Sequence, residues 1–200
     1  MIKTTIFPGR YVQGPHVFRR LGREMARFGT KAFLVCDAWV LENLLADFRA
    51  DIERDIALVV ERFGGECSDE EILRIKEVAV GTGCDVVAGL GGGKAADTAK
   101  AVATALKLPV AVAPTIASTD APCSAVSVVY TTAGVVKRFI FHVRNPDLVI
   151  IDTAVIAQAP SRFLVAGMGD ALATWFEAEA CRVKHAPNVT RDHGSLLAYG

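Results

Sequence analysis

The sequence predicts an α/β fold built on a parallel β-sheet, with helices on both faces of the sheet and a β-hairpin beside it. Apolar runs of strand length alternate with segments whose apolar residues follow helical spacing. Strands separated by helices of this length pair in parallel, and the helices then cover both faces of the sheet. Later in the chain, two β-branched and aromatic runs break the alternation, which is typical of an antiparallel hairpin.

The first predicted elements follow one another in regular alternation. The strands are 31–37, 56–66, 84–90 and 109–115, and the helices are 38–54, 69–83 and 94–107. Ser68 and Glu71 form a capping-box pattern at the start of the second helix. In such a box the serine hydroxyl and the glutamate carboxylate each accept a hydrogen bond from a backbone amide of the first turn.

The alternation ends after Thr115. The runs 125–131 and 135–143 are separated by the sequence Thr-Ala-Gly and predict the two strands of the hairpin. One more buried strand is predicted over 147–152. The hairpin is therefore expected to lie next to the parallel core rather than within it.

A second region is predicted near the end of the sequence. The stretch 159–163 resembles a domain boundary, and 162–183 has a helical pattern with no strand signal after it. We therefore expect an α/β domain over 1–160 and the incomplete beginning of a helical domain over 161–200.

Composition excludes several classes of protein. With 52% hydrophobic residues the chain of 200 residues can bury a core, and 22 basic against 22 acidic residues provide no net field toward nucleic acid or an anionic membrane. No apolar segment of a secretion signal begins the sequence. The five cysteines are scattered and never spaced as CxxC, which argues against disulfides and a cysteine zinc site. These features predict a soluble, cytoplasmic protein that binds neither nucleic acid nor membrane.

The run Gly91, Gly92, Gly93 lies between a predicted strand and a predicted helix, and Lys94 follows it. Ligands of open parallel sheets bind beyond the carboxyl ends of the strands. Glycines there let backbone N–H groups approach an anion, and the positive end of the next helix attracts a phosphate. The spacing is neither a Walker loop nor G-x-G-x-x-G. A Rossmann-like pyrophosphate cradle and a tight turn without a ligand are both consistent with this run.

Asp37 ends the first predicted strand. A carboxylate at that place accepts hydrogen bonds from a ribose diol and repels a 2′-phosphate, which favours NAD over NADP. An aspartate after a strand is also a frequent helix N-cap. The glycine run beside it favours the ribose interpretation.

Four segments carry a resemblance to a known family. They are GGGKAADTAK, PTIASTDAPCSAVSVVY, NPDLVIIDTAVIAQAP and GMGDALATWFEA. Together they closely resemble the glycerol dehydrogenases, zinc-dependent members of the iron-containing alcohol dehydrogenase family. The resemblance implies a Rossmann-like N-terminal domain that binds NAD, a dehydroquinate synthase-like helical C-terminal domain that holds zinc, and an active site between them. It also implies the interconversion of glycerol and dihydroxyacetone, activity on related diols, and a homo-oligomer.

The resemblance also implies roles for individual residues. Asp37 would contact the adenosine ribose, Asp120 would contact glycerol, and Asp170 would be a zinc ligand. The remaining NAD-contacting residues would be Gly92, Gly93, Lys94, Ala95, Ala96, Asp97, Thr115, Ile116, Ala117, Ser118, Ser124, Val126 and Tyr130. Taken without the family, Asp170 also fits an N-cap of the helix that follows it, and Asp120 also fits an Asx-turn before Pro122.

The metal half of the site departs from the family pattern. A catalytic zinc needs about three protein ligands, and the family takes two histidines from farther downstream. His185 and His193 do not match those positions and are expected to be surface residues. The sequence therefore predicts an incomplete zinc site and poor catalysis by this chain alone. A non-catalytic NAD-binding fragment, or a related dehydrogenase acting on another alcohol or diol, remains as an alternative.

Overall fold

The computed structural model describes residues 6–184. The strands are β1 (Tyr11–Gly14), β2 (Lys31–Cys36), β3 (Ala57–Arg62), β4 (Val86–Gly91), β5 (Val110–Pro114), β6 (Val126–Tyr130), β7 (Val136–Phe141) and β8 (Leu148–Asp152). The helices are α1 (Leu21–Met25), α2 (Ala38–Asn43), α3 (Arg49–Asp55), α4 (Asp69–Thr82), α5 (Gly93–Leu106), α6 (Thr153–Gln158) and α7 (Ser161–Lys184). Two short 3₁₀ segments, Val17–Arg20 and Leu45–Asp47, complete the described elements.

Six strands form one parallel sheet in the order β1-β8-β5-β4-β2-β3. This arrangement confirms the predicted α/β fold class. The direction in which strands are added reverses between β2 and β4. The chain first adds β3 on one side of β2, at the edge of the sheet, and then crosses over to add β4 on the other side of β2. The carboxyl ends of β2, β4 and β5 consequently lie side by side, which is where a ligand of such a sheet binds.

The sheet separates two apolar clusters. Along β2, Ala32, Leu34 and Cys36 face the cluster that contains α1 and α3, whereas Phe33 and Val35 face the cluster that contains α4 and α5. All five are 0% exposed. Successive side chains of a strand point to opposite faces, so a continuous apolar run is what a strand covered on both sides requires.

The first strand of the sheet was not predicted. β1 has only four residues and a half-exposed pattern, and it pairs with β8 at the sheet edge. Its sequence, Tyr-Val-Gln-Gly, has no apolar run to indicate a strand. The Asp152 carboxylate fixes the segment after β1, because it accepts hydrogen bonds from the amides of His16 at 2.9 Å and Phe18 at 3.1 Å.

The predicted single helix over 38–54 is wrong. The chain forms α2, then the 3₁₀ turn Leu45–Asp47, and then α3. Leu44 and Phe48 leave helical geometry at φ −129° and −139°. The break turns Leu45 and Phe48 into the core, where they are 1% and 5% exposed, and Phe48 packs on Phe18 with ring centroids 5.4 Å apart. Helical spacing of apolar residues continues through this break, which is why the sequence does not indicate it.

The hairpin is confirmed. β6 and β7 pair antiparallel and form a two-stranded sheet of their own. The hairpin packs on α5 through Ser127, whose hydroxyl donates to the Asp97 carbonyl oxygen at 2.8 Å.

The predicted capping box forms only in part. The Ser68 hydroxyl accepts from the Glu71 amide at 3.2 Å and caps α4. The Glu71 carboxylate does not return the bond. It accepts instead from the Gly64 amide at 2.7 Å and pairs with Arg74, so it fixes the loop that precedes the helix.

The helix predicted over 162–183 lies within α7. Asp170 is in the middle of this helix, so its alternative interpretation as an N-cap is wrong. The division into domains at residue 160 remains a prediction. Between residues 6 and 184, none of the helices is long and apolar enough to cross a membrane.

Candidate functional site

The turn between β4 and α5 requires glycine. Gly91 has φ +154°, and a Cβ atom there would lie 2.7 Å from the Cβ of Asp37. Gly92 is the N-cap of α5, and a Cβ on Gly92 or Gly93 would press on Ile116 or Thr119 at 3.2 or 3.1 Å. The start of α5 therefore lines an open cleft with backbone and without side chains of its own at Gly92 and Gly93, which is the geometry of an anion cradle.

Asp37 is a helix N-cap at the edge of the cleft. It is the N-cap of α2, and its Oδ1 accepts a hydrogen bond from the Trp39 amide at 3.0 Å. The same carboxylate lines the cleft beside the Gly92 turn. A capped carboxylate is held in one orientation, so the N-cap is compatible with the predicted contact to a ribose diol, which remains a prediction.

Two adjoining cavities occupy the cleft. The first has a volume of about 570 Å³ and lies between α2 and the α6–α7 connection. The second has a volume of about 450 Å³ and lies between the glycine turn and the hairpin. The cofactor residues predicted from the sequence that line one or both are Asp37, Gly92, Gly93, Lys94, Ala95, Asp97, Thr115, Ile116, Ser118 and Tyr130. The two cavities together form an extended groove that crosses the positive end of α5.

Lys94 lies at the rim of the second cavity. Its Nζ is 2.6 Å from Glu66 Oε2 and 4.9 Å from the centroid of the Tyr130 ring. Burial raises the pKa of the Tyr130 phenol, so the ring is neutral and attracts the ammonium group through its π-face. Lys94 is thus held next to the cradle by Glu66 and Tyr130.

Asp97 points inward. It is 5% exposed, its Oδ2 accepts from the Val128 amide at 2.9 Å, and its Oδ1 is 2.9 Å from Lys100 Nζ. Burial holds the pKa of this carboxyl above its usual range, against the opposing effect of the Lys100 charge. Asp97 therefore touches the second cavity from a fixed position in the wall.

The structure brings Asp120 and Asp170 together. The Asp120 amide donates to Asp170 Oδ2 at 3.0 Å. This contact depends on Gly167, because a Cβ there would lie 2.2 Å from the Ala117 carbonyl oxygen. The missing side chain lets α7 approach the segment after β5, and Asp170 follows Gly167 by about one helical turn. Asp120 itself is exposed, so its carboxylate is accessible to a polar ligand.

The other predicted cofactor residues do not line either cavity. Ala96 is 2% exposed and packs in the cluster between the sheet and α5. The Ser124 and Val126 carbonyl oxygens accept from Lys100 Nζ, and Ala117 lies against Gly167. These four residues shape the walls behind the groove, and their contact with a cofactor remains a prediction.

The residues between 6 and 184 do not complete a zinc site. Among residues 6–184, no three His, Cys, Asp or Glu side chains are grouped so that they could hold a metal ion. Asp170 can supply one carboxylate oxygen, and about three protein ligands are needed for a catalytic zinc. His185 and His193 lie outside the described residues.

The cysteines do not offer an alternative chemistry. Cys36, Cys67, Cys84, Cys123 and Cys181 are all free, as the sequence predicts. Burial raises the pKa of the Cys123 thiol, so this cysteine near Asp120 is protonated at neutral pH. A protonated thiol is a weak nucleophile and a weak metal ligand.

Sequence analysis missed several groups that form the site. Arg162 and Phe163 close the first cavity from the start of α7, Glu66 holds Lys94, and Lys100 is buried behind the segment 120–126. Only Lys100 leaves a signal in the sequence, because a lysine within an otherwise alanine-rich apolar helix face needs a buried partner. The other groups come from distant elements and are adjacent only in the folded chain.

The sequence of the chain is similar to those of several known proteins. A model of the iron-containing alcohol dehydrogenase family matches residues 8–153. A glycerol dehydrogenase of Thermotoga maritima is 57% identical over 199 residues, which cover 100% of this chain and 54% of that protein. A glycolaldehyde reductase of Halobacterium salinarum is 46% identical over 182 residues, covering 88% of this chain and 49% of that protein.

A solved structure has a similar fold. The crystal structure of a probable glycerol dehydrogenase from Sinorhizobium meliloti 1021 is similar with a TM-score of 0.87 and 44% identity, and the match covers 94% of this chain and 51% of the other. The chain thus spans about half the length of the relatives that it matches. The family match over residues 8–153, together with these identities, shows that the chain belongs to the iron-containing alcohol dehydrogenase family.

Proposed function

We propose that the chain is the cofactor-binding part of an NAD-dependent dehydrogenase that oxidises glycerol, or a closely related diol, to the corresponding hydroxyketone. For glycerol the product is dihydroxyacetone. The main observation that supports this proposal is that Asp37 and the Gly91–Gly93 turn lie next to each other in one groove. Their Cβ positions approach so closely that Gly91 tolerates no side chain. A ribose-binding carboxylate and a pyrophosphate cradle at this separation match a dinucleotide and no simple anion.

The groove is long enough to offer a separate region to each part of NAD. The first cavity, with the apolar side chains Val40, Leu44 and Ile116, suits adenosine. The amides at the start of α5 suit the pyrophosphate, and the second cavity, beside Tyr130, suits the nicotinamide half. This order follows from Asp37, because the carboxylate at the end of β2 selects the ribose next to the adenine.

A bound NAD would supply the hydride acceptor: oxidation breaks the C–H bond at the secondary carbon, transfers hydride to the nicotinamide and releases the hydroxyl proton. The exposed Asp120 carboxylate is placed to accept a hydrogen bond from a second substrate hydroxyl, which would select a polyol over a simple alcohol. Asp170 fixes the backbone of Asp120 through its amide. The residues described do not complete a zinc site, so no proton transfer is assigned to a metal.

A second candidate function is that of an NAD-binding module without catalysis. It is favoured by one observation, the lack of a three-ligand metal cluster among residues 6–184. Both candidates share the cofactor groove. They differ in turnover, because only a dehydrogenase converts bound NAD and glycerol to NADH and dihydroxyacetone.

The cofactor assignment is tested with Asp37→Ser. Serine keeps the N-cap of α2 and removes the charge, so the unfolding midpoint should stay within about 2 °C. Calorimetric titration should show that the unmodified chain binds NAD at least about tenfold more tightly than NADP, and that the variant loses this preference. The exposed Asp47→Ser is the matched control and should keep it. An unchanged preference in Asp37→Ser would remove the ribose assignment.

Turnover distinguishes the two candidates. NADH formation from NAD and glycerol is followed by absorbance with and without added zinc, and zinc content is measured on the same protein. Binding of NAD with no NADH formed, even with zinc, supports the non-catalytic module. Stoichiometric zinc together with substantial turnover would instead establish the enzyme and overturn the prediction that this chain has an incomplete zinc site.

A further inference from the structure

Lys100 is a buried lysine in the middle of α5. Only 2% of the residue is exposed, and the residues next to it in the sequence, Ala99 and Ala101, are apolar. Burying an ammonium group is unfavourable unless it is paired and hydrogen-bonded. Its partners therefore indicate what the lysine does.

The Lys100 Nζ holds both ends of one loop. It donates to the carbonyl oxygen of Ala121 at 2.7 Å and to that of Val126 at 2.5 Å, and it lies 2.9 Å from Asp97 Oδ1. The first two contacts are hydrogen bonds to backbone carbonyl oxygens, and the third is an ion pair between residues one turn apart on α5. Longer contacts of 3.3 Å reach the carbonyl oxygen and hydroxyl of Ser124. The lysine thus binds the loop 120–126 from behind, on the side away from solvent.

The loop makes little secondary structure of its own. Its internal backbone hydrogen bonds are those of Cys123 to the Asp120 carbonyl oxygen at 2.9 Å and of Ser124 to the Ala121 carbonyl oxygen at 3.3 Å. Without Lys100, the carbonyl oxygens of Ala121 and Val126 would lose their charged, buried donor and keep only the contacts of 3.2–3.3 Å from Ser124. A weakly satisfied buried carbonyl destabilises the conformation that buries it. Lys100 is therefore a main support of the loop, beside Asn145, which donates to the Cys123 carbonyl oxygen at 2.7 Å.

The front of the same loop carries residues of the proposed site. Asp120 lies at its first position, with its amide on Asp170, and Ala121 lines the second cavity. We propose that Lys100 is a positioning residue: it fixes the loop 120–126 so that Asp120 and the wall of the second cavity are set for the nicotinamide half of the cofactor and for the polyol. This assignment deepens the proposed function and rests on it.

A role in stability alone makes a different prediction. Asp97 and Lys100 form a buried ion pair, and removing one member of such a pair leaves an uncompensated charge that destabilises the whole fold. Removing both members relieves that charge but does not restore the donors to Ala121 and Val126. Comparison of the single variant Lys100→Met with the double variant Asp97→Asn/Lys100→Met therefore separates the two roles.

Amide hydrogen exchange of the unliganded 200-residue chain is the first measurement. In Lys100→Met and in the double variant, the amides of Cys123 and Ser124 should exchange at least about tenfold faster, while those of β4 and β5 remain protected in the double variant. Lys107→Met, which changes an exposed lysine just after the same helix, is the control and should match the unmodified chain. Unchanged exchange at Cys123 and Ser124 in the double variant would overturn the proposal, whatever the ligand data show.

Binding of NADH and of ADP is the second measurement. ADP contains only the adenosine and pyrophosphate half, so its dissociation constant in Lys100→Met should stay within about twofold, whereas that of NADH should rise at least about tenfold in Lys100→Met and in the double variant. Asp97→Asn alone measures any direct effect of Asp97 on the cofactor and should bind NADH more tightly than the double variant. Recovery of NADH affinity in the double variant would show that Lys100 serves only as the counter-ion of Asp97 and would overturn the proposal. If the unmodified chain binds neither nucleotide, the proposed function fails, and the exchange data alone decide the role of Lys100.

Discussion

Individual residues of this chain show how local geometry forms the groove at the carboxyl ends of β2 and β4. Gly91 ends β4 with a positive φ and no room for a side chain, and Asp37 uses one carboxylate oxygen as a helix cap while it lines the groove. His142 joins the hairpin to α5, since its ring nitrogens lie 2.7 Å from Thr104 Oγ1 and 2.8 Å from Ser127 Oγ. The local conformation thus depends on the missing Cβ of Gly91, on one carboxylate oxygen of Asp37 and on the two ring nitrogens of His142.

Gly91→Ala is expected to destabilise the chain by about 1–3 kcal/mol, because alanine is strained at φ +154° and its Cβ would meet Asp37 at 2.7 Å. Urea unfolding measures the change. Gly169→Ala is the control, since a Cβ there meets no atom within 4 Å and should stabilise α7 by up to about 1 kcal/mol. Equal stability of Gly91→Ala and the unmodified chain would contradict the steric argument.

The stability of the chain is expected to fall as the pH drops from 6.5 toward 4 because of His142. Burial and the Lys100 charge lower the pKa of this imidazole from 6.5 to about 4. Protons therefore bind the unfolded state more readily over this range, and the neutral ring's contribution, present above pH 6.5, is lost on acidification. We expect a loss of about 1–2 kcal/mol after allowance for solvent screening of the partly exposed ring.

The measurement for His142 is the difference in unfolding free energy between the unmodified chain and His142→Gln at several pH values. Glutamine does not titrate, so the carboxylates that titrate in both proteins cancel. The difference should change between pH 6.5 and 4 and be constant from pH 7 to 8. A difference that is independent of pH over the whole range would show that the ring is not held neutral.

Helices and strands position groups that are far apart in the sequence. Helix α7 places Asp170 on the Asp120 amide only because Gly167 allows a backbone-to-backbone approach to Ala117. Helix α5 presents its first amides to the cleft and, farther along, Lys100 to the loop 120–126. The two helices thus hold the same loop from opposite sides: α7 accepts a hydrogen bond from the Asp120 amide at the front, and α5 donates from Lys100 at the back.

Gly167→Ala should move α7 away from the segment after β5, because its Cβ would lie 2.2 Å from the Ala117 carbonyl oxygen. Overpacking of this kind destabilises by about 1–3 kcal/mol. Hydrogen exchange should also show faster exchange of the Asp120 amide, whose acceptor is Asp170. Gly169→Ala, two residues along the same helix, again serves as the control. Protection of the Asp120 amide equal to that in the control would refute the close-approach argument.

At the scale of the whole molecule, a stripe of apolar side chains on α7 is exposed to solvent. It consists of Leu164, Val165, Met168, Leu172, Trp175 and Phe176, which are 54–66% exposed and follow helical spacing. Apolar surface of this extent on one helix face favours association. The relatives are about twice as long as this chain, and the chain on its own presents this face to solvent.

Self-association of the 200-residue chain is therefore expected, with an average mass by light scattering that rises with protein concentration. Leu172→Gln/Phe176→Gln should lower that mass, since it removes two large side chains from the stripe. Leu73→Gln is the control, because Leu73 is also 53% exposed but lies on α4. If the unmodified chain, the double variant and Leu73→Gln all have the same average mass, the stripe does not mediate association.

Much of the fold could be predicted from the sequence because its signals are local. The buried strands β2, β4, β5 and β8 are continuous apolar runs, and the glycine turn follows directly at the end of β4. The first strand of the hairpin is rich in β-branched residues. These features depend on the residues next to them. The break at Leu44–Phe48 and the edge strand β1 depend on what they pack against, and the sequence did not indicate either.

The sequence by itself determined the α/β class, the glycine turn after β4 and the carboxylate at the end of β2, because a strand that is buried on both faces and a turn without side chains are directly visible in the order of residues. Only the tertiary structure decided that Asp170 lies on the Asp120 amide, that Glu66 holds Lys94, and that Lys100 supports the loop 120–126. These contacts join residues from different elements. Their energies depend on burial and on distances of about 3 Å, which arise only when the helices have packed on the sheet.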